Sequence, residues 1–115
     1  SIKAVSSDAQ TVTFEEAAVN NAPAAQYTKD MIELVKLMNL KRGTTRLLTT
    51  KLEIVSEMLG RNNPVLALAG LRSFMLHVKL EKGGAISSEN AETLLVEAEQ
   101  LYDSIINEYP ELNLK

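Results

Sequence analysis

The side chains able to do chemistry are few, and their spacing decides what they are good for. His77 is the only histidine and there is no cysteine. A catalytic base or a transition-metal site needs partners that a lone imidazole does not have. His77 therefore reads as a partly buried imidazole hydrogen-bonded to a neighbouring helix or loop. Glu92, Glu99 and Asp103 fall on one face of a single helical segment, with Glu99 and Asp103 at i, i+4 spacing. Hard cations need oxygens converging from several directions, and one straight helix cannot wrap an ion. These acids read as a solvated face. Thr44-Thr45, Thr49-Thr50 and Ser87-Ser88 have no GxSxG setting and no credible base nearby. Helix caps explain Thr45 and Ser87 better. Gly83-Gly84 is followed by Ala-Ile-Ser, not by the Lys-Ser/Thr of a phosphate loop. No catalytic, cofactor-binding or metal-binding set emerges, and a non-enzyme is expected.

Binding residues are the other prospect. Tyr27, Tyr102 and Tyr109 are the candidate ligand contacts. Exposed beside acids they would favour carbohydrate binding, and burial would oppose it. Trp is absent and aromatics make up only 4% of the chain, which disfavours a stacking platform. Arg42, Arg46, Lys51, Arg72 and Lys79 are scattered among acids. With a net charge of −3 and a pI near 5.2, no nucleic-acid partner is expected. Nor is membrane insertion, because no apolar run approaches the roughly 20 residues of a spanning helix. The methionines Met31, Met38, Met58 and Met75 read as core filler.

Elements that would position these residues follow from the apolar periodicity. The stretch from Asn63 to Lys82 begins with a capping Asn and a Pro suited to the first helical position. It ends at Gly83-Gly84, behind Lys79 and Lys82. Being apolar on most of its circumference, it is expected at the centre, buried by several partners. A helix at about 28–40 has Thr28 as its cap, a Tyr27–Ile32 staple, and Met31, Leu34, Val35 and Met38 inward, with Gly43 ending it. A second, about 45–59, turns Leu48, Leu52, Val55 and Leu59 inward. The last follows a Ser87 cap, with Ala91, Leu94, Ala98, Leu101 and Ile105 inward. Gly70 suggests close approach of another helix.

Short connections make this an all-α, up-and-down bundle of four helices, with three around a central one as the variant. Residues 1–22 read as a β-like or irregular segment and linker, 23–110 as the bundle, and 111–115 as a tail. Ile2 to Val5 and Thr11 to Phe14 are β-prone runs about a turn. They suit a hairpin, or the last strand of a preceding β domain, and should be dispensable for folding. A start at Ser1 without signal-peptide features suggests a piece of a longer protein. One domain of this length is expected to be a monomer in isolation.

The run LRSFMLHVKLEKGGAISSENAETLLVEAEQL resembles the FIMAH domain. Leu71, Phe74, Met75, His77 and Val78 stand where that family has its helix motif. Gly83-Gly84, Ile86-Ser87 and Leu94-Leu95 match its turn, its Ile-Ser step and its Leu-Leu pair. Met75 stands where Ile is commoner, and the match spans about 27–108. The resemblance implies a non-catalytic accessory module of a secreted or cell-surface bacterial multidomain enzyme, including polysaccharide-active ones. Its partners would be neighbouring domains of a longer chain, or polysaccharide or cell wall. A spacer or attachment role is the expectation, with a carbohydrate-binding module or a protein-docking helical domain as alternatives. For the last, Leu66, Leu76 and Leu80 would have to form one exposed apolar patch.

Overall fold

Two of the four helices start on proline. Pro has no N–H to satisfy and its fixed φ is already helical, so the first turn is where it costs nothing. Pro23 opens α1 (Pro23–Leu37) and Pro64 opens α3 (Pro64–Glu81); between them lies α2 (Arg42–Gly60), and α4 (Ser88–Glu108) follows. The computed structural model describes residues 23–113. The strand-like runs expected within 1–22 lie outside the described residues.

The caps of α3 and α4 are the ones their sequences call for. Asn63 Oδ1 accepts from Leu66 N at 3.1 Å, and Ser87 Oγ accepts from Asn90 N at 3.1 Å. The start of α1 differs. The helix begins at Pro23, because Ala24, Ala25 and Gln26 are good helix formers, and Thr28 lies buried inside it. Its hydroxyl donates back to Ala24 O at 2.8 Å. Tyr27 is consequently a mid-helix residue, not half of a staple. At the other end α1 stops at Leu37, and the chain turns through Asn39 at φ 59°. Gly43 sits in the first turn of α2. Thr45 does not cap that helix: Lys41 occupies the position without a side-chain bond, and the Thr45 hydroxyl donates to Leu40 O at 3.5 Å.

The helices form a ring. α1 packs on α2 and α4, and α3 packs on the same two, so sequence neighbours are spatial neighbours and the last helix closes on the first. Lys51 meets Ser73, and Ile54 and Val55 meet Gly70, an antiparallel register for α2 and α3. Arg72 with Tyr102 and Lys82 with Glu92 give the same sense for α3 and α4. This is the up-and-down bundle. Its interior comprises Met31 and Val35 of α1, Leu48, Leu52 and Val55 of α2, Leu71, Phe74 and Val78 of α3, and Leu94, Leu101 and Ile105 of α4, all fully buried. Burying each such side chain is worth about 1.5–3 kcal/mol.

Gly70 does what its place in an otherwise strong helix suggested. A Cβ built there would lie 3.3 Å from Val55 Cγ2, so glycine lets α2 and α3 approach closely. After α3, Gly83 takes φ 83°, and its N–H donates to Ile86 O at 2.7 Å, folding buried Ile86 under the turn. A 3-10 turn, Pro110–Asn113, follows α4 and lays Leu112 against the core.

One expectation about the ring changes. α3 is the most apolar helix, yet it is not enclosed at the centre. Four helices in a ring give each two neighbours and one outward face, and α3's outward face is exposed like the others. Val65 is 63% exposed, Leu66 51%, Leu76 59% and Leu80 71%.

Candidate functional site

The residues singled out for chemistry do not form one set: Arg72, Met75, Glu99, Tyr102 and Asp103 line a shared groove and the others are dispersed over the bundle. Phe74, Leu71 and Val78 point into the core. Met75, next to them, is half-buried and lines a groove on the α4 side. His77 is half-buried, and its Nε2 stands 3.9 Å from Glu81 Oε2 one turn on in the same helix. Its nearest carboxylate is therefore on its own helix rather than a neighbouring one. Leu71, Phe74, Met75, His77 and Val78 thus split between core, groove and rim.

The three tyrosines are half-buried and their hydroxyls are engaged across helices. Tyr27 donates to Glu97 Oε1 at 2.6 Å, with Gln100 Oε1 at 2.7 Å. A phenol has one proton to give, so an amide turned to present Nε2 is what completes this site. Burial, and then the Glu97 carboxylate beside it, push the Tyr27 hydroxyl up to about 12. Tyr109 donates to Asn62 Oδ1 at 3.1 Å, tying the end of α4 to the α2–α3 turn. Tyr102 accepts from Arg72 Nη2 at 2.9 Å, and the guanidinium carbon lies 5.6 Å from the ring centroid. That aromatic face is already occupied by a cation, which works against stacking on a sugar.

Around Tyr102 a shallow groove of about 410 Å³ runs between α3 and α4, lined by Arg72, Met75, Glu99 and Asp103 as well. Beyond it the groove continues to Val65, Leu68, Ile106 and Leu112. Glu92, the third of the expected acidic group, is drawn away. It pairs with Lys82 at 2.7 Å, and that lysine holds its carboxyl below the usual range. Among the described residues no three His, Cys, Asp or Glu side chains converge on a point where an ion could sit.

Charge is segregated in a way that the scattered sequence positions do not show. α4 carries Glu89, Glu92, Glu97, Glu99, Asp103 and Glu108 and no Lys or Arg. Arg42, Arg46 and Lys51 lie on α2, and Arg72 and Lys79 on α3. Against this, the outward face of α3 carries exposed apolar residues along its length, with Ser73 among them. Leu66, Ala69, Ser73, Leu76 and Leu80 are all exposed and recur at steps of three and four. That spacing places them in one row along the helix. Exposed Ile54 and Leu47 of α2 flank the row, since Ile54 meets Gly70 and Lys51, one turn after Leu47, reaches Ser73.

Compared with known protein families, curated proteins and solved structures, the chain matches none of them. No helix among the described residues is long and apolar enough to cross a membrane.

Proposed function

We propose that this chain is a non-catalytic helical module that works by packing against a neighbouring protein domain. The observation that carries this is the outward face of α3, where Leu66, Leu76 and Leu80 stand exposed in one row. Apolar side chains scattered singly over a surface need no explanation, but a helix-long row of them is what a covered interface looks like without its cover. The FIMAH resemblance supports the same reading. It makes the chain an accessory module of a secreted or cell-surface bacterial enzyme, polysaccharide-active ones included, with the adjoining domain as the natural cover. Carbohydrate binding draws less support, because all three tyrosine hydroxyls are bonded within the fold and the Arg72 guanidinium stands beside the Tyr102 ring.

The test is to produce the adjoining domain of the parent protein separately and measure its association with this chain by sedimentation velocity and calorimetry. A complex weakened at least tenfold by Leu76→Glu is expected. Absence of a complex, with retention of the chain on insoluble polysaccharide that is lost in Tyr102→Ala, would replace docking by glycan binding. Turnover of a substrate by the purified chain, lost in His77→Ala, would overturn the non-catalytic reading.

A further inference from the structure

The row on α3 has borders, and the borders say what kind of helix fits it. With Leu66, Ser73 and Leu80 in one register position and Ala69 and Leu76 in the other, Arg72 and Lys79 lie along one edge and Gly70 and His77 along the other. Arg72 and Lys79 are both exposed; the Arg72 guanidinium donates to Tyr102 on the α4 side and keeps its charge at that edge. On the Gly70 side, Lys51 of α2 reaches across and donates from Nζ to Ser73 Oγ at 2.8 Å, which brings a third cation to the row. Among the described residues none of these three cations is held in an ion pair, and the nearest acids on the Arg72 side are Glu99 and Asp103, across the α3–α4 groove. Glu57 pairs with Arg61 at 2.7 Å, and Glu53 lies about 100° around α2 from Ile54, the residue that faces Gly70. Glu81 stands at the end of the helix, beside His77. α4, with its acids, is on the far side of Arg72.

We propose that the outward face of α3 receives an amphipathic α-helix of the neighbouring domain, with an apolar stripe bordered by Asp or Glu. This rests on the docking reading above and adds the chemistry of the occupant. From Leu66 to Leu80 the row is about 21 Å long, which sets a partner helix of some 15 residues. Leu66, Leu76 and Leu80 are the knobs, and the small Ala69 and Ser73 between them leave a shallow waist, bordered by Lys51. A second copy of this chain is the wrong occupant on charge. Antiparallel, Arg72 would meet Lys79; parallel, it would meet Gly70 and His77. Neither arrangement sets an acid of α3 opposite the basic edge. An acidic border on the partner supplies that charge, and opposite charge across an interface sets partner choice and orientation more than it sets raw affinity.

The experiment uses two synthetic 18-residue peptides, stapled on the solvent side so that each is helical and monomeric. Both carry Leu at three-four spacing; one has Glu and its twin Lys at the bordering positions. Binding to the full chain is read by fluorescence anisotropy, and its location by ¹⁵N–¹H shift perturbation. The Glu peptide should bind about tenfold more tightly than the Lys peptide at low ionic strength, with the gap closing in salt. Shifts should centre on Leu66 to Leu80 and on Lys51 and Ile54. Leu76→Glu should abolish binding, and Arg72→Glu with Lys79→Glu should reverse the preference. Equal binding of both peptides would overturn the acidic partner while leaving a docking face. Failure of both peptides to bind, with a complex still formed by the adjoining domain, would overturn the helical occupant alone. Self-association of the chain, broken by Leu76→Glu, would make a second copy the occupant and overturn the proposal.

Discussion

Glu108, in the last turn of α4, accepts a hydrogen bond from the backbone N–H of Ala24, in the first turn of α1, at 2.6 Å. The first N–H groups of any helix lack intrahelical partners and sit at the positive end of its dipole. A carboxylate from the last helix therefore caps the first, and this contact closes the ring where the chain itself supplies no turn. Glu108→Ala should cost about 1 kcal/mol and should loosen the start of α1 first. Glu108→Gln, which keeps an acceptor oxygen, should cost less. Amide hydrogen exchange at residues 24–27, set beside thermal melts of the three proteins, checks both statements. Unchanged protection in Glu108→Ala would mean that the cap is dispensable.

Tyr27 makes the second tie between α1 and α4, and it gives stability a dependence on alkaline pH. Its folded-state ionisation is pushed up to about 12, above the ordinary phenol value of 10.0, so the folded protein holds the phenol proton more tightly than the unfolded chain does. The stabilisation is complete below pH 10 and is lost as pH rises from there through 12. In a spectrophotometric titration one of the three tyrosines should ionise near pH 12, and Tyr27→Phe should remove that step. Tyr27→Phe should also flatten the fall in melting temperature above pH 10. Persistence of the high step in the variant would assign it to another tyrosine.

Core and surface separate cleanly at two positions. Phe74 is wholly buried, whereas Glu99 is exposed on the rim of the α3–α4 groove. Phe74→Ala should cost on the order of 3–5 kcal/mol through lost burial and the cavity left behind. Glu99→Ala should stay within about 0.5 kcal/mol. Urea denaturation of both variants, with equal slopes, is the check. Comparable small shifts would place Phe74 outside the core.

These contrasts also mark what was legible beforehand. Residues whose neighbours lie within one helical turn were readable: Asn63 and Ser87 cap as their types require, and the stripes Leu48–Leu52–Val55–Leu59 and Ala91–Leu94–Ala98–Leu101–Ile105 are buried throughout. Thr28 and Thr45 misled because a hydroxyl that can cap a helix can equally bond back to a carbonyl inside it or just before it. The Glu108–Ala24, Tyr27–Glu97 and Arg72–Tyr102 contacts join residues far apart in the chain, and side-chain type alone does not announce them. Apolarity of α3 was plain, but apolar content does not say which face is covered. Only the ring arrangement turns surplus leucines into an outward row.

That row makes the last prediction, because residues serving the fold and residues serving a partner respond oppositely to polarity. Leu66, Leu76 and Leu80 are each more than half exposed, so replacing them removes little area that folding buries. The triple substitution Leu66→Gln, Leu76→Gln, Leu80→Gln should shift unfolding by less than about 1 kcal/mol in either direction, since leucine and glutamine have similar helix propensities. A single Leu71→Gln, placed in the core, should instead leave a buried amide without partners and cost several times more. The triple variant should also bind less of a dye that reports exposed apolar surface, with its helical circular dichroism unchanged. Large destabilisation by the triple variant would show that these leucines belong to the fold's own core, and the case for a docking face would go with it.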